Sequence, residues 1–318
     1  MNNPLGAPSA GALAGPGAGL GLDDATPLAR EAADHVQLAA RVERTQRFDR
    51  PADTRIFVVA NQKGGVGKTT TTVNVAAALA MRGLNVLVVD LDPQGNASTA
   101  LDIPHAEGTP GVYEAVVEGD DVVDLVQTCP EHPTLDVLPA SIDLAGAEIE
   151  LVSLVARESR LDKALQSYLD VRERAGRRVD YVLIDCPPSL GLLTVNAMVA
   201  GREVLIPIQC EYYALEGLGQ LLRNIDLVRA HLNPRLEVTT ILLTMYDART
   251  NLSAGVAQEV REHFQDKVLR TAIPRSVRIS EAPSYQQTVL TYDPTSSGAL
   301  SYLEAAREIT VMAKRLED

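Results

Sequence analysis

Tryptophan is absent from the 318 residues, and aromatics of every kind make up only 4%. A folded core must therefore be filled mainly by Val, Ile, Leu and Ala. Cysteine is scarce as well: Cys129, Cys186 and Cys210 show no metal-ligand spacing and no even framework, which excludes a disulfide scaffold and suits a reducing cytoplasm. No apolar run approaches the roughly 18–20 residues of a membrane-spanning helix. The amino terminus lacks a basic stretch followed by an unbroken apolar core, so no secretory signal is expected. Positive charge is in deficit, with 29 Lys and Arg against 42 Asp and Glu, a net charge of −13. That balance favours solubility and gives no overall sign of nucleic-acid binding.

What is present centres on Asn61-Gln62-Lys63-Gly64-Gly65-Val66-Gly67-Lys68-Thr69-Thr70. The apolar run Ile56–Ala60 before it reads as a buried parallel strand, and Val73, Ala76, Ala77 and Ala80 after it read as helix. Strand, glycine-rich turn and helix N-terminus form a phosphate-binding geometry. The glycines let the backbone approach, and the first helical N–H groups with the macrodipole favour anionic oxygens. Lys68 is placed to reach β- and γ-phosphates, and Thr69 to offer a hydroxyl to Mg²⁺. The ordinary loop has a glycine where Gln62 stands, and here a lysine, Lys63, follows it.

Two further stretches fit the same site. Val86–Val89 is a strand that ends in Asp90-Leu91-Asp92-Pro93-Gln94-Gly95-Asn96, and ligands of open α/β sheets bind at the carboxyl ends of strands. Tyr181–Ile184 is a central strand that delivers Asp185, the position from which a carboxylate holds Mg²⁺. Cys186, with no second cysteine at matching spacing, reads as a strand-end packing residue. Elsewhere, a short helix is expected over Gly111–Val117, a strand over Leu135–Pro139 and a helix over Leu144–Ser167. That helix would bury Leu151, Leu154, Val155, Leu161 and Leu165. Strands are also expected at Val204–Ile208 and Val238–Leu243.

The amino-terminal 53 residues differ in kind. Residues 1 to about 27 are mostly Gly, Ala, Pro and Leu, with too little to bury, and disorder is expected. Leu28–Arg47 reads as a marginal amphipathic helix, either a solvated tail or a docking segment for a partner or for the catalytic domain. Arg50-Pro51-Ala52-Asp53 marks a boundary, so the expected division is a tail over 1–53 and a phosphate-binding domain over 54–318.

Lys63-Gly64-Gly65-Val66-Gly67-Lys68-Thr69-Thr70 is the deviant Walker A sequence and resembles the ParA/MinD group of P-loop ATPases. D-A-R-T-N at Asp247–Asn251 and I-P-R-x-x-R-x-x-E-A-P-S at Ile273–Ser284 resemble the chromosomal ParA/Soj proteins in particular. The resemblance runs from about Arg55 to Leu316. It implies an α/β, P-loop NTPase three-layer sandwich with a mostly parallel central sheet and helices on both faces. It also implies ATP and Mg²⁺ as ligands, and a homodimer in which Lys63 reaches the partner's nucleotide. In that reading Asp92 orients the attacking water. Lys63, Gly64, Gly65, Val66, Gly67, Lys68, Thr69, Thr70 and Asp90 surround the nucleotide, Thr69 and Asp185 serve the metal, and Met245 and Pro274 enclose the adenine.

By the same resemblance Arg249, Arg275 and Arg278 would bind double-stranded DNA without sequence preference, and a ParB-like centromere-binding protein would stimulate hydrolysis. The protein would be cytoplasmic and nucleoid-associated, and the tail could serve a polar scaffold protein. Between Arg223 and Arg278 nine basic residues face six acidic ones, net +3 within a chain of −13. That excess fits a solvated mixed surface as well as a DNA-binding one. The alternative is a MinD-like membrane-associated regulator, which needs a basic amphipathic carboxyl-terminal helix. From Leu300 onward three basic residues stand against four acidic, beside a packing stripe of Leu300, Leu303, Ile309, Ala313 and Leu316, so no stable membrane association is expected. An iron–sulfur enzyme of the nitrogenase iron-protein kind, which shares the deviant loop, would need cysteine ligands that this chain lacks.

Overall fold

β-Branched and leucine-rich runs with no room for a polar face make parallel strands covered on both sides. The computed structural model describes residues 33, 36–40, 42, 47–212 and 214–317. Its strands are β1 (Arg55–Val59), β2 (Val86–Asp90), β3 (Gln127–Thr128), β4 (Leu135–Leu138), β5 (Tyr181–Asp185), β6 (Glu203–Gln209), β7 (Glu237–Tyr246) and β8 (Val268–Pro274). They form one sheet in the order β3-β4-β2-β5-β1-β6-β7-β8. Every pairing is parallel except the two-residue edge strand β3. The alternation along β1 shows the layering. Ile56 and Val58 enter one apolar core, Phe57 and Val59 the other.

One layer is built on α1 (Lys68–Met81), which continues directly from the phosphate loop. Almost the whole helix is buried, including Val73, Ala76, Ala77 and Ala80. Its alanines let the sheet on one side and the carboxyl-terminal helix on the other both come close. Gly83, at φ +88°, ends it in the left-handed conformation expected of a glycine stop. Short α2 (Asn96–Ala100) follows β2, and a π-helix covers Glu114–Glu118 where a short helix was expected. After α3 (Val122–Leu125) come β3 and β4, then α4 (Leu144–Leu151) and α5 (Arg160–Arg174).

The single helix expected over 144–167 is thus two. Ala156 adopts φ +54°, a left-handed residue that turns the chain between them. Leu151, Leu161 and Leu165 are buried as expected, Leu154 is half-buried, and Val155 is 89% exposed. The apolar spacing is continuous across the break, but the chain turns there and Val155 is left on the outside.

α6 (Leu192–Ala200) and α7 (Ala214–His231) flank β6, α8 (Asn251–Phe264) follows β7, and α9 (Val277–Glu281) and α10 (Val289–Tyr292) lead to α11 (Ser297–Glu317). α11 lies on α1 and β8 and buries Ala299, Leu300, Tyr302, Leu303, Ala306 and Ile309. The side chains of Ala313 and Leu316 lie outside those described. Glu308 on this helix accepts the N–H groups of Arg270 and Thr271 at 2.7 and 3.0 Å, which occupies donors that edge strand β8 would otherwise present. At the amino end of the sheet, Arg55 pairs through two nitrogens with Glu203, donates to the Ile309 carbonyl and lies 4.7 Å from the Phe57 ring centre.

The tail expected over 1–27, and most of the helix expected over 28–47, lie outside the described residues. Of that helix Ala33, Val36–Ala40 and Val42 are helical, with Val36 exposed and Val42 buried beside Phe48. Arg178 donates to the Pro51 and Ala52 carbonyls, fixing the approach to β1. All three cysteines are buried and free.

Candidate nucleotide site

β1 stops at the carboxyl edge of the sheet, and residues 60–67 turn there before α1 begins. Gly65 and Gly67 hold φ of +73° and +88°, values that a side chain would strain. Gly67 is the N-cap of α1 and has no side-chain cap, so the first N–H groups of the helix face the loop. No heavy atom lies within 4 Å of the position a Cβ on Gly64 would take. The loop is pinned from three directions. Asn61 Nδ2 donates to the Pro207 carbonyl at 2.8 Å, Asn61 Oδ1 accepts the Lys63 N–H at 3.1 Å, and Thr244 Oγ1 donates to the Val66 carbonyl at 2.8 Å. Lys68 folds back beneath it, Nζ donating to the Lys63 carbonyl at 3.4 Å. Burial lowers the Lys68 pKa, and Asp185 opposes that shift.

Parallel pairing of β1, β5 and β2 sets the acidic side. Val59 is in register with Asp185, and Asp185 with Asp90. Thr69 Oγ1 donates to Asp185 Oδ2 at 2.7 Å and Thr72 Oγ1 to Oδ1 at 3.0 Å. Thr72 was not singled out from sequence, although its spacing of three from Thr69 places both on one helix face. Burial pushes the Asp185 carboxyl up to about 7, and the neighbouring Asp90 adds to the shift. Asp90 is itself raised to about 6, again by burial first, and hydrogen bonds from Ser98 hold it down. Its carboxylate accepts the Ser98 N–H and hydroxyl, each at 2.8 Å, and the Asp92 N–H at 3.3 Å. Asp90 thus anchors the 92–98 loop from inside the fold. Asp92 lies half-buried outside it, accepts the Gln94 N–H at 3.1 Å, and is near enough to act on the charge of Lys68.

Beside the phosphate loop a cavity of about 220 Å³ is lined by Gly67, Thr70, Thr244, Met245, Pro274 and Tyr302 among others. Met245 sits there with φ +51°, and the register of β7 and β8 sets Tyr246 opposite Pro274. The ends of two strands distant in sequence therefore form one wall next to Thr70.

Residues 54–238 match a family described as an AAA domain. Over 255 residues the chain is 53% identical to the sporulation initiation inhibitor protein Soj of Bacillus subtilis, across 80% of this chain and 98% of that protein. It is 52% identical to the chromosome partitioning protein ParA of Caulobacter vibrioides over 256 residues, 80% of this chain and 93% of the other. The chain belongs to the ParA/Soj family. Among solved structures, it is similar to cobyrinic acid a,c-diamide synthase of Mycobacterium smegmatis with bound ADP and magnesium. There the TM-score is 0.69 at 38% identity, over 82% of this chain and 96% of that one.

Within this ParA/Soj fold the three arginines expected at DNA all stand at the carboxyl end of the sheet's far edge. The Arg275 N–H donates to the Tyr246 carbonyl at 3.0 Å, which joins the loops after β7 and β8. Each arginine also meets acid within the chain. Arg249 donates two bonds of 2.9 Å to Asp247, Arg275 lies 3.6 Å from Glu211, and Arg278 lies 3.3 Å from Glu281 and 3.5 Å from Asp293. Lys63 points its ammonium at Glu211, 3.2 Å away. Asp247 and Glu281 belong to the family segments quoted above, but their contacts are not legible there, and nothing in the spacing of Glu211 and Lys63 announces that they meet. No helix among the described residues is long and apolar enough to cross a membrane.

Proposed function

We propose that this ParA/Soj protein is an ATP-driven DNA-partitioning switch. The observation that carries the reading is the joining, at one sheet edge, of a left-handed glycine loop with the Thr69–Asp185 pair at 2.7 Å. Glycine turns and uncapped helical N–H groups suit phosphates, and a hydroxyl beside a carboxylate gives the hard oxygen donors that Mg²⁺ prefers. Thr69 and Asp185 would hold the ion, whose charge offsets that of the phosphate oxygens. Lys68 lies beneath the loop, where its ammonium meets the outer phosphates. Thr70, Met245 and Pro274 line the 220 Å³ cavity that takes the base. Asp92, carried on a loop that Asp90 fixes, orients the attacking water.

Lys63 belongs in this reading to the partner's nucleotide, so ATP closes a homodimer. Closure sets the arginines at 249, 275 and 278 of both protomers along one duplex, read by its phosphates rather than its bases. A ParB-like partner accelerates hydrolysis and reopens the dimer, and ATP acts as a switch ligand through its differential affinity for the closed state. Such a protein is cytoplasmic and rides on the nucleoid. Among the described residues a MinD-like membrane role has no supporting observation, since Leu300, Leu303 and Ile309 are already buried against the domain.

The test is co-sedimentation with double-stranded DNA in ATP, in ADP and without nucleotide, for the natural protein and Lys68→Ala. Binding is expected with ATP alone and is lost in Lys68→Ala. DNA binding indifferent to nucleotide would remove the switch.

A further inference from the structure

Glu211 stands where the chain leaves β6, and its carboxylate meets cations from two other loops. Oε2 lies 3.2 Å from Lys63 Nζ, and Oε1 lies 3.6 Å from Arg275 Nη2. Gln209 Nε2 donates to Oε1 at 2.5 Å, so the carboxylate is itself oriented by a neighbour two residues back. The phosphate loop fixes the Lys63 backbone through Asn61, but the direction of the ammonium is set by Glu211. Lys63 and Glu211 are both about half in solvent, so neither is held by packing.

We propose that Glu211 is a positioning residue that parks Lys63 on its own protomer and thereby sets how readily ATP closes the dimer. The inference rests on the reading that Lys63 serves the partner's nucleotide. An ammonium that reaches into another protomer's phosphates leaves Glu211, so the parked pair is a competitor of closure. When Lys63 leaves, Arg275 still faces the other carboxylate oxygen, and Glu211 is not stranded without a cation. An exposed ion pair of this kind alters an equilibrium by about 1.4- to fivefold. A two-fold dimer breaks both copies at once, so the effect on the dimer constant is about two- to thirtyfold.

The experiment uses the full chain and Glu211→Gln, which keeps the side-chain shape and removes the charge. Nucleotide-free protein is labelled with an N-hydroxysuccinimide ester, and each lysine is followed by mass spectrometry. The ATP-dependent dimer constant is measured by sedimentation equilibrium. In Glu211→Gln, Lys63 should label about 1.4- to fivefold faster while exposed Lys163 labels at an unchanged rate, and the ATP dimer should tighten about two- to thirtyfold. Unchanged labelling of Lys63, or a dimer no tighter than that of the natural protein, overturns the parking role. Lys63→Ala separates the two levels: if it dimerises with ATP like the natural protein, the cross-interface reading itself is wrong, and the role of Glu211 falls with it.

Discussion

Asp90, Asp92 and Asp185 show how one residue type takes three roles according to what surrounds it. The Asp92 carboxylate accepts the Gln94 N–H and stands half-buried at the rim of the site. Asp92→Ala should leave ATP and DNA binding in place and lower partner-stimulated hydrolysis by about 10²-fold or more, because phosphoryl transfer depends on positioning. A phosphate-release assay at saturating partner checks this, and normal turnover would remove Asp92 from the mechanism. The buried pair behaves differently. Burial first, and then repulsion from a neighbouring aspartate, raises the carboxyls of Asp185 and Asp90 to about 7 and about 6, above the ordinary carboxylate range, so their protonated forms favour the folded apo-protein. Their contribution is complete below the ordinary range and is lost as pH rises through 7. Metal binding requires the ionised carboxylate. The melting temperature of the apo-protein should therefore fall between pH 5.5 and 8, while the stabilisation added by Mg²⁺ and ATP grows over the same interval. Melting curves with and without ligand at each pH give both signs, and a ligand effect flat across the interval would contradict the assignment to Asp185.

At the level of elements, the phosphate loop was legible because three signals agree there: an apolar strand, glycines, and a helix of small residues. The helix expected over 144–167 was not, because spacing reports which residues could share a face and not whether the backbone turns between them. Ala156 in a left-handed conformation carries no sequence signature. The link between sheet and α11 was equally hidden, since nothing in the sequence ties Arg55 to Glu203, 148 positions away. Their buried contact, with the Ile309 carbonyl as third partner, ties β1, β6 and α11 together. Arg55→Ala leaves Glu203 buried without its cation and should destabilise the domain by about 3–5 kcal/mol. The double replacement Arg55→Met with Glu203→Leu should recover most of that loss, as apolar pairs of similar volume commonly do. Urea unfolding of the three proteins measures both effects.

Across the whole molecule, charge was the least legible property. A net −13 argues against a polyanion partner, and the +3 between Arg223 and Arg278 is a weak excess. The fold gathers Arg249, Arg275 and Arg278 at one edge, yet gives each a carboxylate neighbour that no count could reveal. On DNA, phosphates compete with those carboxylates, and the outcome is expressed in salt. In a dimer each arginine occurs twice, so Arg249→Ala or Arg278→Ala should reduce the slope of log affinity against log salt by about two. Titrations from low to moderate salt test this, and an unchanged slope would place the DNA surface elsewhere.

Cys129, Cys186 and Cys210 are all sealed in the interior, and burial raises the thiol of Cys186 strongly and that of Cys210 to about 11. The folded protein thus presents no ready thiolate to a maleimide dye. A single cysteine introduced on the solvent side of α8 would be the one fast-reacting position, with the natural three left in place. The chain comes prepared for fluorescence, and the opening and closing of two protomers could be watched in real time on an otherwise unaltered molecule.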